Sequence, residues 1–412
     1  MTPFARILAA FPVDRPFWAE LIGCSQRQLA DWQTGRRPVP GSVADVLAEA
    51  LGVPRDVLTA RASDVQPERV LPPLWLKARE SRLGEAEHRA IAAARLLAAR
   101  YEELLAITEP SRSDPRFMMA EVRQRVDPQQ PARVQGAVGA EAFLTLSGLG
   151  KGTTGVGEVI RGFLRARGVL ILETPINNRR LEGFCVPVGG EVGPRPCLVA
   201  NSYRTTWFRR NYVLLHELAH AVFDLDAASA VFDVGTAGDH DALDIAEQRA
   251  DSFALNALVP RRLLVAIENR GHRLATLEPQ DLAIVIAAVH AEQGLLARAA
   301  HEHGLIDSEA AMRLATLDVA RELRACSYHA RGLRDTPANQ LIYPELLAWG
   351  ERLTTFPVRG LRLPIPFVRL VIDAVGQGKI TPAKAAELLM VDEGGLLRYG
   401  IEHRETEEAF AS

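Results

Sequence analysis

Apolar residues along this chain recur mostly every three or four positions, the spacing of helices that each bury one face. Phe17-Trp18-Ala19-Glu20-Leu21-Ile22 makes a short helix stopped by Gly23. Ser25 caps the next, Gln26 to Gln33, which Gly35 closes. A turn at Arg36-Arg37-Pro38-Val39-Pro40 leads to an amphipathic helix from Val43 to Leu51 that ends at Gly52. A helix, a Gly-containing turn and a capped polar helix together have the layout of a helix-turn-helix, with Trp18 and Trp32 expected in its core. An Ala/Leu/Arg-rich helix is predicted from Glu85 to Ile107, bracketed by prolines, as a spacer able to pair with a second copy. Tyr212 to Phe223 reads as a buried helix, and Glu247 to Pro260 as another with Ala250, Phe253, Ala254, Ala257 and Leu258 apolar. Asp281 to Ile306 reads as two helices broken at Gln293-Gly294, with His301 and His303 at the surface because their spacing does not share a face. Near the end, Thr381 caps and Pro382 opens a helix that stops before Asp392, the first half of another small helix-turn-helix whose role stays open.

Composition narrows the class. At 412 residues the chain exceeds one core, so roughly two to four domains are expected. Hydrophobic content of 48% and charged content of 24% are ordinary for a globular protein. The net charge of -3 offers nucleic acid no general attraction, so any DNA contact must come from a local patch. No apolar run reaches membrane-span length, and Ile7 to Phe11 is too short for a signal core, which makes a cytoplasmic protein the expectation. Cys24, Cys185, Cys197 and Cys326 lack metal-ribbon spacing; buried, reduced thiols are expected, with Cys185 facing Cys197 across a hairpin as the alternative. Phe143 to Ser147 resembles a strand entering a phosphate loop. Gly152 follows Lys151 where that loop needs Ser or Thr, so a flexible entry loop is the better reading.

The chemistry concentrates in His216-Glu217-Leu218-Ala219-His220. Residues four apart on a helix lie one above the other, so both imidazoles can point at one metal ion. Glu217 then falls beside an open position on the metal, placed to take a proton from bound water. Two histidines on a polar helix face would be the plain alternative, but the flanks here are apolar. Glu247, in the first turn of the next helix, offers a third ligand; otherwise it is a solvated helix-start carboxylate. Asp251, one turn further on, would accept the outer N–H of a ligating histidine. Asp239, His240 and Asp241 are rival ligands in a Gly/Asp-rich loop, ranked lower for want of helical pattern.

From Val156 to Pro260 the chain resembles the ImmA/IrrE metallopeptidases. Glu158 to Val169 is similar to that family's helix leading into a "Gly-Val" strand, and Leu181 to Cys185 and Cys197 to Asn201 to its next two strands. Arg209 to Tyr212 stands where an Arg-Phe pair precedes the metal helix. The ExxAxxFAxxLxxP signature is matched by Glu247, Ala250, Phe253, Ala254, Leu258 and Pro260, with Leu258 one place off the usual double Leu. Ala219 replaces a common Gly and Tyr212 a common Phe, and neither removes a chemical group. The resemblance implies metal ligation by His216, His220 and Glu247, with Glu217 as general base. Ser25 to Pro40 in turn resembles Xre/Cro-type repressors through Trp32, Gly35, Arg36, Arg37 and Pro38. That likeness implies base reading by Gln26, Arg27 and Gln28 and phosphate contacts by Arg36 and Arg37.

The expected fold class is α+β, mostly helical. It comprises a helix-turn-helix over 1–62, a helical linker over 63–135 and a zincin-like metallopeptidase domain with a small sheet over 136–265. A winged-helix-like extension over 266–310 and a C-terminal helical region over 311–412 follow. The expected function is a zinc-dependent endopeptidase (manganese being the other metal its ligands accept) with a DNA-binding head. Its partner would be a transcriptional repressor whose cleavage controls a stress, mobile-element or defence programme, and a homodimer is considered. The alternative is a non-proteolytic regulator, or a toxin–antitoxin component, whose peptidase fold senses a metal or ligand. Tyr203, Arg204 and Tyr212 are positional candidates for stabilising the oxyanion.

Overall fold

The computed structural model describes residues 2–9, 11, 13–53, 55–59, 84–109, 114–149, 156–174, 181–188, 195–202, 205–224, 232–233, 245–325, 363, 365–391 and 393–399. Helices α1 (Pro3–Ala9), α2 (Arg15–Ile22), α3 (Gln26–Gln33), α4 (Gly41–Leu51) and α5 (Arg55–Thr59) form the N-terminal head. Its local signals act as their chemistry dictates. Asp14 accepts from the Phe17 amide, Gly23 ends α2 in the left-handed region, and Ser25 and Gln28 form a reciprocal capping box at the start of α3. Trp18 and Trp32 are both core residues.

The next helix, α6 (Glu85–Thr108), is enclosed rather than standing in solvent as a spacer would. Ile91, Ala93, Ala94, Leu96, Ala98 and Leu104 are fully buried. Its alanines let neighbours approach on several sides, and it touches α4, strands β1 (Leu170–Thr174) and β2 (Gly183–Val188) and α17 (Ile365–Gly376). Arg100 ties three units together, its Nε 3.1 Å from Glu49 on α4 and its Nη1 bonded to Glu387 on α18 (Pro382–Leu389).

A four-stranded sheet runs in the order β1 (Leu170–Thr174), β3 (Arg195–Asn201), β2 (Gly183–Val188), β4 (Phe232–Asp233). β1 lies parallel to β3, and β2 is antiparallel to both β3 and β4. Side chains alternate between the two faces of a strand, and here both faces are buried. Leu170, Leu172, Phe184, Val186, Val188, Cys197 and Val199 join one core with the head, α6, α17 and α18. Ile171, Cys185, Leu198 and Ala200 join a second core with the remaining helices. Cys185 and Cys197 therefore do not face each other. Cys185 pairs with Leu198 and Val186 with Cys197, an offset of one residue that sends the two thiols to opposite faces. Both are free and buried.

The second core gathers α7 (Pro115–Gln124), α8 (Ala132–Ser147), α9 (Ile160–Ala166), α10 (Trp207–Phe223), α11 (Ile245–Leu258), α12 (Arg261–Glu268), α13 (Pro279–Val289), α14 (Gln293–Glu302) and α15 (Ser308–Thr316), with α16 (Ala320–Ala325) packed on α13. Four sequence expectations change here. Phe143 to Ser147 is the last part of α8, not a strand, because its apolar residues continue a helix that Gly148 terminates; residues 150–155 lie outside the described set. Arg209 to Tyr212 lies inside α10, whose cap is Thr206. The break between α13 and α14 falls at His290 to Glu292, with His290 left-handed at the turn, and Gln293 already opens α14. Residues 261–325 contain no strand, so nothing among them corresponds to a wing. Among the described residues no single helix is long and apolar enough to cross a membrane.

The position of α11 is set by α8. A Cβ at Gly136 would collide with the Arg249 carbonyl and lie 2.8 Å from both the Phe253 amide nitrogen and Ser252 Cβ. One turn on, a Cβ at Gly139 would meet Phe223 Cζ at 2.7 Å. Backbone cannot yield as a flexible side chain can, so Gly136→Ala should cost about 1–3 kcal/mol of stability. A urea midpoint equal to that of the wild type would refute this crossing.

Candidate metal centre

Helix α10 is buried nearly all round, as a helix sandwiched between a sheet and other helices must be. One line of polar residues runs along it at intervals of four: Tyr212, His216, His220 and Asp224. These face α11, which brings Glu247 and Asp251, also four apart. Where the lines meet, His216 Nε2 lies 3.1 Å from Glu247 Oε2 and 3.1 Å from His220 Nε2, while His220 Nε2 lies 3.6 Å from Glu247 Oε1. One ligand atom from each of His216, His220 and Glu247 fits within a mutual 4.8 Å. Donors about 2.1 Å from a tetrahedral ion stand roughly 3.4 Å apart, so the observed spacing suits a common cation.

The outer nitrogens are engaged as well. His216 Nδ1 lies 3.3 Å from Asp251 Oδ1, and His220 Nδ1 lies 2.9 Å from Asp224 Oδ2. Carboxylates opposite both Nδ1 atoms favour the tautomer with Nδ1–H outward and the Nε2 lone pair inward, the form a metal needs. Burial alone would raise the Glu247 carboxyl, but its contacts with His216 and His220 outweigh that and hold it far below the usual carboxylate range. Asp251 is lowered in the same way by His216 and Tyr212 against its burial. Burial would lower His220, yet Asp224 and Glu247 lift it to about 9. The cluster is thus rich in acceptors and draws positive charge inward.

Glu217 is fully buried on the sheet side of α10. A Cβ on Gly183, at the start of β2, would stand 3.0 Å from Glu217 Oε1 and closer still to Val213, so only glycine leaves room there. Tyr212, a positional candidate for holding an oxyanion, donates its hydroxyl to Asp251 instead. Tyr203 and Arg204, and the rival ligands Asp239, His240 and Asp241, lie outside the described residues.

Residues 164–314 match the model of the IrrE N-terminal-like domain, Peptidase_M78. The match spans the sheet, the histidine helix and the Glu247 helix, so the metal cluster lies wholly inside a domain similar to metal-dependent peptidases. No curated protein and no solved structure matches the chain.

Sequence reasoning missed Asp224, although its place four residues after His220 puts it on the same helix line. It also missed the buried network that seats α10. Arg161 on α9 grips Glu173 of β1 with Nε at 2.8 Å and Nη2 at 2.7 Å, and its Nη1 donates to Asn211 Oδ1 at 2.6 Å. Asn211 Nδ2 donates to the His290 carbonyl at 2.9 Å, and Arg210 Nε approaches Glu173 at 3.2 Å. These partners lie far apart in the chain, so no local pattern announced them.

In the head, Gln26, Arg27 and Gln28 are exposed on the first turn of α3, but Gln28 Oε1 accepts from the Ser25 amide at 2.9 Å and so serves the cap. Arg36 and Arg37 are exposed and stand 4.0 and 3.8 Å from Asp31, loose pairs that leave both guanidinium groups facing solvent.

Burial would raise Glu173, but Arg161 and Arg210 bring it from the ordinary 4.5 to about 2. A carboxylate lowered on folding contributes stability above its unfolded value, and that contribution is lost as pH falls towards the folded one. The stability gap between wild type and Glu173→Gln should therefore narrow as pH drops from about 4.5 to about 2. A gap that stays constant in urea unfolding across that window would contradict the pairing.

Proposed function

We propose that this chain is a zinc-dependent endopeptidase carrying a DNA-binding head, and that its substrate is a transcriptional repressor. The observation that carries the reading is the convergence of His216, His220 and Glu247 on one point inside the peptidase-like segment. Those three residues would hold the ion. Two imidazoles and a carboxylate suit zinc and leave a position for water, with manganese the other metal they accept. When bound, the ion supplies Lewis acidity towards water and the scissile carbonyl. Glu217 would take the proton from the attacking water and pass it to the leaving amine. Its enclosure between α10 and β2 holds the carboxylate in one orientation. Asp251 would fix the His216 ring through Nδ1. The exposed start of α3 would enter a DNA groove through Gln26 and Arg27, with Arg36 and Arg37 near phosphates and Gln28 capping the helix that presents them.

A second reading, a regulator that senses a metal without cutting, draws on the shared core. β2 carries Phe184 into the same core as the head while Gly183, one residue away, abuts Glu217.

The purified chain should bind one zinc. Glu217→Gln should keep that metal but lose cleavage of a repressor encoded beside it by about 10²–10⁴-fold. A zinc-loaded wild type that leaves every such repressor intact would sink the peptidase reading and leave the sensor. In the head, Arg27→Ala should weaken operator binding by about 1–3 kcal/mol in gel shifts. An unchanged shift would assign the head to a protein partner.

A further inference from the structure

Resting on the metal-site reading above, we infer that Asp224, Arg249 and Gln135 form a positioning relay that fixes how His220 presents its Nε2 to the ion. Asp224 is the C-cap of α10, so the backbone that ends the helix also places this carboxylate one turn beyond His220. Its Oδ2 lies 2.9 Å from His220 Nδ1, and its Oδ1 receives Nη2 of Arg249. Arg249 comes from α11, two residues after Glu247, so one helix delivers both a ligand and the clamp on the opposite histidine's carboxylate. The other end of the guanidinium is held too. Nη1 lies 3.1 Å from Gln135 Oε1, and the group stacks 5.0 Å from the Phe223 ring centroid.

Gln135, on α8, is nearly buried, and its amide donates to the carbonyls of Pro128 at 3.1 Å and Gln130 at 2.7 Å. The chain of contacts therefore runs from the imidazole to a backbone turn on a third element. Side-chain exposure of Asp224 and Arg249 is only 14% and 16%, which limits the water available to loosen either group. A carboxylate behind a metal-binding imidazole sets its tautomer, ring angle and basicity, and the arginine decides where that carboxylate sits. An arginine fork can hold Asp224 and Gln135 at once, which a point charge cannot. His216 has a counterpart in Asp251, whose Oδ2 lies 3.6 Å from Arg298 Nη1. That arginine is more exposed and shared with Glu302, so the His220 arm is the more firmly anchored.

The test uses the full chain with cobalt(II) as a spectroscopic probe and zinc affinity by chelator competition. Asp224→Asn and Arg249→Ala should each weaken zinc by about 10–100-fold and shift the cobalt d–d bands. The double variant should bind no more weakly than Asp224→Asn alone, because Arg249 acts through that carboxylate. Gln135→Met removes only the far anchor, and should shift the bands in the same direction by less. Singles that keep wild-type affinity and spectrum, or losses that add in the double variant, overturn the relay. A purely structural salt bridge would lower the melting temperature and leave the cobalt spectrum alone. A wild-type chain that takes up no cobalt overturns the metal site itself, and the relay with it.

Discussion

The structure depends on how closely α10 can lie beside α11. Two imidazoles on one helix and a carboxylate on the next share a point only if the helix axes hold a fixed offset. Both helices are located by α8, where Gly136 lets its backbone press on Arg249, Ser252 and Phe253 of α11 and Gly139 leaves room for Phe223 at the end of α10. The geometry of the candidate site is therefore set by packing some distance from the chemistry. Close-packed interiors transmit such constraints because they have no slack to absorb them.

The buried charges around the site divide the work. Arg161, Glu173 and Arg210 seat the first half of α10 against β1 and α9, while Asn211 ties it to the turn after α13. Asp224 and Arg249 hold its last turn against α11 and α8. Such groups are costly to bury unless paired, and each here lies against a group of opposite charge or a hydrogen-bonding partner. They fix the rotation of α10 about its own axis, which apolar packing alone would leave loosely determined.

Much of this was legible from residue order, for a physical reason. His216 and His220 share one helix face through i, i+4 spacing, and Ser25, Gly23, Thr381 and Pro382 act within a turn of themselves, so local sequence carries their information. Glu247 and Asp251 were readable as a helix start one turn apart. What escaped was set by contacts between distant segments. The spacer helix proved to be core because β1, β2, α4 and α17 close over it, none of which its own composition reveals. Cys185 and Cys197 looked like partners across a hairpin, but a register offset of one residue separates them. Phe143 to Ser147 suited a strand as well as a helix, and the preceding turns of α8 decided the matter.

The alternation along β2 carries a consequence for how this protein could change over time. Phe184 and Val186 serve the side shared with the head, while Gly183 and Cys185 serve the side shared with the histidine helix. Deleting or inserting a single codon within this strand would exchange the two sets beyond that point, because a strand's side chains switch sides with every step. A phenylalanine ring would then crowd the carboxylate, and the head would lose its anchor in the same event. Length variation is thus barred from this short segment, and drift should accumulate by substitution alone.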